Sequence, residues 1–99
     1  MNNFNLAEGG WLDTWSRISR LLEGTSVDEP REMDLILPSV DRNSCGLSDA
    51  EKLNIDKVYM DESDGKMWYH FEYTDHLEWH DMSLLSTDDL KAILNELSL

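Results

Sequence analysis

The spacing of apolar residues changes twice along this 99-residue chain, and each change constrains the fold. In residues 11–23 and 87–97, apolar side chains recur about every 3.6 residues, the period of an amphipathic helix. Between residues 55 and 82 they alternate with polar side chains, the period of a β-strand. We therefore predict an α+β domain: a three-stranded antiparallel meander with an N-terminal and a C-terminal helix packed on one face.

Both predicted helices have recognisable ends. The first stops before Gly24, a residue type that favours helix C-termini. The second follows Ser86, whose hydroxyl can cap the first turn, while Asp88 and Asp89 complement the positive end of the helix dipole. Because acids at a helix start are a structural device, these two are not functional candidates. Residues 1–10, which are polar and contain a glycine pair, are predicted to be a loose arm.

The three predicted strands span residues 55–61, 66–73 and 77–82. Asp64-Gly65, between the first two, is a strong hairpin signal. The second strand has the clearest alternation, so its side chains divide between two faces. One face is formed by Met67, Tyr69, Phe71 and Tyr73, and the opposite face by Trp68, His70 and Glu72.

The middle of the chain has no clear period. Pro30 and Pro38 bracket the run 33–37, which can be either a short strand or an extended docking segment. Residues 41–46 are rich in turn formers and are predicted to be a loop. A capping-box spacing within residues 48–53 predicts a helical turn there.

The length suits a single small acidic domain covering residues 1–99. Its core is predicted from the apolar stripe of each helix and the apolar face of the second strand. The predicted core residues are Trp15, Ile18, Leu22, Tyr69, Phe71, Leu90, Ile93 and Leu94.

Cysteine usage and the N-terminal residues bear on the compartment. Cys45 is the only cysteine, so no disulfide within the chain is expected, and a reducing cytoplasm is the predicted location. Residues 1–10 lack the basic cluster and apolar run of a secretory signal. No apolar stretch approaches the ~20 residues that would span a bilayer.

Acidic residues far outnumber basic ones. The chain holds 21 Asp and Glu against eight Lys and Arg, a formal net charge of −13. Residues 56–99 carry eleven acids and three bases, so this part has the larger excess. Such a charge repels nucleic acid and anionic membrane and attracts basic proteins. We therefore predict no direct nucleic-acid binding, no membrane partner and a basic protein partner.

Few residues suggest a reaction. His70, His76 and His80 fall in one eleven-residue window with several acids, so a metal-binding module or small enzyme using this region is one alternative. The spacing fits no standard metal-ligand signature, and no cofactor is predicted. Cys45 has no recognisable base or oxyanion site beside it in the sequence. No glycine-rich phosphate loop is present.

Trp68 is the residue that most suggests a binding surface. It is predicted on the wetter face of the second strand, and Trp is enriched at binding hot spots. We therefore expect the meander and its turns to bind the partner. The predicted partner-binding residues are Asp61, Glu62, Asp64, Trp68, Glu72, Asp75, Glu78 and Asp81.

The chain is accordingly predicted to be a non-enzymatic acidic binding or inhibitor protein. Two strategies fit the size and charge: a nucleic-acid mimic that blocks a host-defence or nucleic-acid-binding protein, and an immunity protein that neutralises a basic toxin. A second alternative is an oligomeric accessory or chaperone-like subunit that associates through its apolar helix stripes. A homodimer is compatible both with a binding protein and with an accessory subunit.

Overall fold

A computed structural model describes residues 6–39, 54–72, 74–75 and 77–99. Within these residues the chain forms two α-helices and a four-stranded antiparallel sheet with the strand order β1-β2-β3-β4. In chain order the elements are α1 (Leu6–Leu21), β1 (Arg31–Leu35), β2 (Ile55–Met60), β3 (Met67–Phe71), β4 (His80–Asp81), a 3₁₀ turn (Met82–Leu84) and α2 (Thr87–Leu97). The α+β class is thus confirmed, with one more strand than predicted.

The first helix begins earlier than predicted. Residues 6–10, which we predicted as part of an arm, belong to α1, and residues 1–5 lie outside the described part. The helix breaks at Gly10, which has φ 69° and ψ −162°. A glycine tolerates this positive φ because it has no Cβ. The Thr14 hydroxyl donates to the Gly10 carbonyl at 2.8 Å, and regular helix continues from Trp11.

The second helix has the predicted bounds. Ser86 is its N-cap, and its Oγ accepts from the backbone N–H of Asp89 at 3.3 Å. Asp89 has the structural role expected of it, although by a different contact. Its buried carboxylate accepts from the backbone N–H and the hydroxyl of Ser39 at 3.1 and 2.7 Å. This links the start of α2 to the segment after β1.

The strand that precedes β2 settles one open alternative. The apolar-rich run between Pro30 and Pro38 forms β1, which pairs antiparallel with β2 along residues 31–35. Arg31, Met33 and Leu35 face the helices, and the Arg31 guanidinium donates to the carbonyl of Leu97 at 3.1 Å. Glu32 and Asp34 are exposed on the opposite face.

A register shift between β2 and β3 decides which side chains enter the core. Val58 lies opposite Tyr69, but Ile55 lies opposite Phe71, so β2 contains one extra residue between these two pairs. Because of this bulge, Ile55 and Val58 both point toward the helices although they are three residues apart. A strict alternation of side chains between the two faces would instead place Ile55 and Val58 on opposite faces.

The predicted third strand is mostly wrong. Only His80–Asp81 pairs with β3, whereas residues 77–79 form no strand. Local bonds hold the chain in a turn here, because the carboxylate of Asp75 accepts from the N–H of Leu77 at 2.9 Å. Leu77 is 76% exposed and cannot contribute an apolar strand face.

The core lies between the sheet and the two helices. Six of the predicted core residues are buried, while Trp15 and Phe71 are half-buried and pack against them. The buried apolar residues that we did not predict are Leu37, Ile55, Val58, Met67, Met82 and Leu97. The radius of gyration of 13.5 Å is close to the ~13 Å expected for a compact domain of about 100 residues. Among the described helices, none is both long and apolar enough to cross a membrane.

Ile93 tests the position of the core. It is fully buried in α2, so Ile93→Ala should lower the free energy of unfolding by about 2–5 kcal/mol through lost burial and a cavity. Phe71→Ala should cost less than full burial would imply, because that ring is only partly buried at the edge of the core. Chemical denaturation measures both. Leu84, which is 82% exposed, supplies the control: Leu84→Ala should stay within about 0.5 kcal/mol of the wild type. Equal losses at Ile93 and Leu84 would contradict the packing.

Candidate functional site

The candidate site is the face of the sheet that points away from both helices, called the outer face below. Residues directly opposite one another in an antiparallel sheet share a face. Glu32, Lys57 and His70 therefore form one cross-strand row, and Tyr59, Trp68 and Asp81 form another. The first row begins at Glu32 on the edge strand β1, and the second contains the aromatic side chains of Tyr59 and Trp68. The outer face thus combines carboxylates with large rings.

His70 is the structural centre of the outer face. It is only 2% exposed, although its face was expected to be wet. Its Nε2 lies 2.9 Å from the carbonyl oxygen of Asp75, which can only accept, so this nitrogen donates. Its Nδ1 lies 2.7 Å from Oδ1 of Asp56 and can donate to that carboxylate when the ring is protonated. His70 therefore ties β2 and the segment after β3 together.

That segment covers part of the outer face. The ring of Trp79 packs edge-on against Tyr59, with centroids 4.8 Å apart, and lies 5.3 Å from the ring of His70. The described residues of this cover are Thr74, Asp75 and Trp79, and they contact His70 and Tyr59.

Trp68 lies where the sequence placed it, on the face opposite Tyr69. It is half-buried between its cross-strand neighbours Tyr59 and Asp81. A large ring that is held by neighbours and still partly exposed has the form of a binding anchor. Its role in binding stays a prediction.

The turn between β2 and β3 holds three of the predicted partner-binding acids. Asp61 Oδ1 accepts from the backbone N–H and the hydroxyl of Ser63 at 3.0 and 2.7 Å, and these bonds lower the pKa of Asp61. Asp64 Oδ1 accepts from the N–H of Lys66 at 3.0 Å. Glu62 is exposed. Two of the three acids therefore shape the turn as well as charge it.

Three more predicted acids lie around the 72–81 segment. Asp81 caps the 3₁₀ turn, and its carboxylate accepts from the N–H and hydroxyl of Ser83 at 2.9 and 2.8 Å. Those bonds, backbone first, and the charge of Lys66 lower the pKa of Asp81. Glu78 is exposed and lies 3.8 Å from Nε2 of His80. The exposed Asp75 caps its own turn through the N–H of Leu77.

The remaining predicted acid, Glu72, joins a shallow acidic hollow near β1. Asn54 donates from its side chain to Glu72 at 3.4 Å. The hollow is lined by Glu32, Met33, Asp34, Asn54, Asp56, Lys57 and Glu72. Glu32 and Asp34 were missed because β1 was not assigned, and Asp56 because the bulge in β2 moves it to the outer face. Once residues 31–35 are read as a strand, their alternation places Glu32 and Asp34 on the outer face.

The histidines do not assemble a metal site in the described residues. His80 pairs with Tyr69 on the helical side of the sheet, where its ring stacks on Tyr69 at 5.3 Å and lies tilted against Phe71 at 5.0 Å. His70 points to the outer face, so His70 and His80 lie on opposite faces of the sheet. No group of three potential ligands occurs in the described part, and His76 and Cys45 lie outside it.

Comparisons with protein-family models, with curated proteins and with solved structures found no match to this chain. The functional argument therefore rests on geometry and charge.

His70 tests whether the cover is held as described. His70→Ala removes both ring bonds and should lower the free energy of unfolding by about 1–3 kcal/mol. Hydrogen exchange at the amides of residues 77–79 should accelerate more than in the core strands. Glu78→Ala, in the same segment, should change little because that side chain is exposed. Unchanged exchange in His70→Ala would show that other contacts hold the segment.

Asp81 tests the electrostatics through pH. Its folded-state pKa lies below the ordinary value of 3.8, so its carboxylate favours folding above that value. This contribution is lost as the pH falls through the folded-state pKa. The difference in unfolding free energy between wild type and Asp81→Ala should therefore be constant near neutral pH and shrink below about pH 4. A difference that grows on acidification would contradict the assigned bonds to Ser83.

Proposed function

We propose that this chain is a non-enzymatic binding protein whose outer face docks on a basic surface of a partner protein. The observation that carries the proposal is the division of the sheet into two faces. The helices and the apolar core occupy one face, and the other face presents Trp68 beside Asp81, with further carboxylates along its edge and in its turns.

Charge on and around the outer face gives the direction of the interaction. Its basic side chains in the described residues are Lys57 and Lys66. The acids that border the face are Glu32, Asp34, Asp56, Asp61, Glu62, Asp64, Glu72, Asp75, Glu78 and Asp81. A surface with this excess attracts a basic partner over several ångströms and raises its association rate. The attraction should weaken with salt.

Apolar contact has to supply the remaining affinity, because charge contributes more to rate and specificity than to binding free energy. Trp68 is the proposed anchor. It is half-buried beside its cross-strand neighbours Tyr59 and Asp81, so part of its side-chain entropy is already lost before a partner covers it.

The partner class follows from the same chemistry. Proteins with large basic surfaces include those that bind nucleic acid, and carboxylates can replace phosphates in such sites. We therefore favour a mimic-type inhibitor of a host-defence or nucleic-acid-binding protein, or an immunity protein for a basic toxin. Both would act in the cytoplasm as proposed from Cys45.

Capture from lysate of the source cells, at low and at high ionic strength, tests the proposal. We expect a basic protein to be retained at low ionic strength and released at high ionic strength. If the retained proteins are on average no more basic than the proteins of the whole lysate, the proposal is contradicted.

Substitutions then locate the interface. Asp61→Asn, Glu62→Gln and Asp64→Asn together remove three charges while the amide oxygens can still accept the turn bonds. This variant should associate several-fold more slowly and with less salt dependence. Trp68→Ala should mainly accelerate dissociation and cost about 2 kcal/mol or more. Surface plasmon resonance with the captured partner measures both.

The control variant carries the same charge change on the helical side. Asp13→Asn, Asp88→Asn and Glu96→Gln lie on the two helices, away from the outer face, and should leave association nearly unchanged. If the two triple variants behave alike, net charge rather than this surface governs binding. If Trp68→Ala also binds normally, the interface lies elsewhere.

A further inference from the structure

A pocket of about 300 Å³ lies at the end of the sheet, between the α1–β1 connection and the β2–β3 turn. One wall contains Thr25 and the side chain of Val27, which is 51% exposed. The other wall contains Tyr59, Met60, Asp61 and Glu62. The pocket therefore joins apolar surface to carboxylates within one concavity.

Hydrogen bonds fix the two walls relative to each other. The hydroxyl of Thr25 donates to the carbonyl of Leu22 at 2.6 Å and accepts from the N–H of Met60 at 3.0 Å. On the turn side, the N–H of Asp61 donates to the carbonyl of Lys66 at 2.8 Å. A pocket with walls held in this way is preformed, which lowers the entropy cost of filling it.

The charges in the pocket are unbalanced. None of the described residues that line it is basic. Both bonds from Ser63 go to Oδ1 of Asp61, which leaves Oδ2 available, and Glu62 is exposed. The pKa of Tyr59 is raised by partial burial and by the charges of Asp61 and Asp64, so the negative field reaches the phenol ring.

We propose that this pocket receives an arginine side chain from the basic partner. The apolar stem would lie along Val27 and Met60, and the guanidinium would meet Tyr59 and the two carboxylates. Arginine fits better than lysine because its planar group stacks on aromatic rings and pairs with carboxylates in a fixed geometry. The inference rests on the proposed function, because it names the side chain that the same acidic surface would bind.

Short peptides test the pocket without the partner. The probe is acetyl-Gly-Arg-Gly-amide, and the matched control replaces arginine with citrulline, its neutral isostere. In NMR titrations of the ¹⁵N-labelled full chain, the arginine peptide should shift the amides of residues 24–27 and 61–65 in a saturable manner. The citrulline peptide should leave these amide signals nearly unchanged. A third peptide, with lysine in place of arginine, should bind more weakly than the arginine peptide.

Paired variants separate the pocket from overall charge. Asp61→Asn with Glu62→Gln should weaken binding of the arginine peptide about five-fold or more, as expected for the loss of two partly exposed ion pairs. Glu32→Gln with Asp34→Asn removes the same charge on β1 and should change binding less than about two-fold. Amide spectra of both variants check that they remain folded.

Three outcomes would overturn the proposal: equal binding of the arginine and citrulline peptides, equal effects of the two double variants, or shifts that map elsewhere. The proposed function fails separately. If the peptide does not bind but a basic protein is still captured and depends on the outer face, the pocket assignment is wrong and the function stands. If the peptide binds as expected but no basic protein is captured, the pocket stands and the function is wrong.

Discussion

The register of β2 against β3 determines which side chains this protein buries and which it presents. Val58 lies opposite Tyr69, and one extra residue in β2 brings Ile55 onto the same face as Val58. The same shift leaves Asp56 on the outer face, 2.7 Å from His70. A slip by one residue would bury carboxylates and expose the core, so the pairing and the burial of apolar surface stabilise each other.

The charge of the chain follows the same division. Unpaired carboxylates are costly to bury, so the helical side of the sheet excludes nearly all of them. The exception is Asp89, whose two bonds from Ser39 compensate for its burial. Ten of the other described acids border the outer face or its turns, and several of them also shape the backbone, as Asp61 and Asp81 do for Ser63 and Ser83. Structural and electrostatic roles therefore coincide in these residues.

Parts of this arrangement could be predicted because their causes are local. The bounds of α2 follow from Ser86 and a regular apolar stripe, and the side of β3 that carries Trp68 follows from alternation. β1 was left open because a run as short as 33–37, bracketed by Pro30 and Pro38, does not distinguish a strand from an extended docking segment. The predicted strand 77–82 failed because Asp75 closes a turn around Leu77 that competes with strand pairing.

The burial of His70 could not be predicted, because it depends on contacts distant in the sequence. Its bond to Asp56 requires the β2 bulge, and its cover, Trp79, requires the chain to turn back after β3. The spacing of apolar residues also led us to overestimate the burial of Trp15 and Phe71. Such spacing shows which face of an element is apolar, but not which residues lie at the edge of that face. Among the proposed binding residues, the aromatic cover and the β1 acids were visible only in the structure.

The four tryptophans allow a direct test of where a partner binds. Trp68 and Trp79 lie on the outer face, whereas Trp11 and Trp15 stack on each other with centroids 5.0 Å apart, and Trp11 donates to the carbonyl of Leu85. The measurement is the NMR spectrum of the four indole N–H groups with and without the captured basic partner. The account predicts that the signals of Trp68 and Trp79 shift while those of Trp11 and Trp15 stay in place. Shifts confined to Trp11 and Trp15 would place the partner on the helices and contradict it.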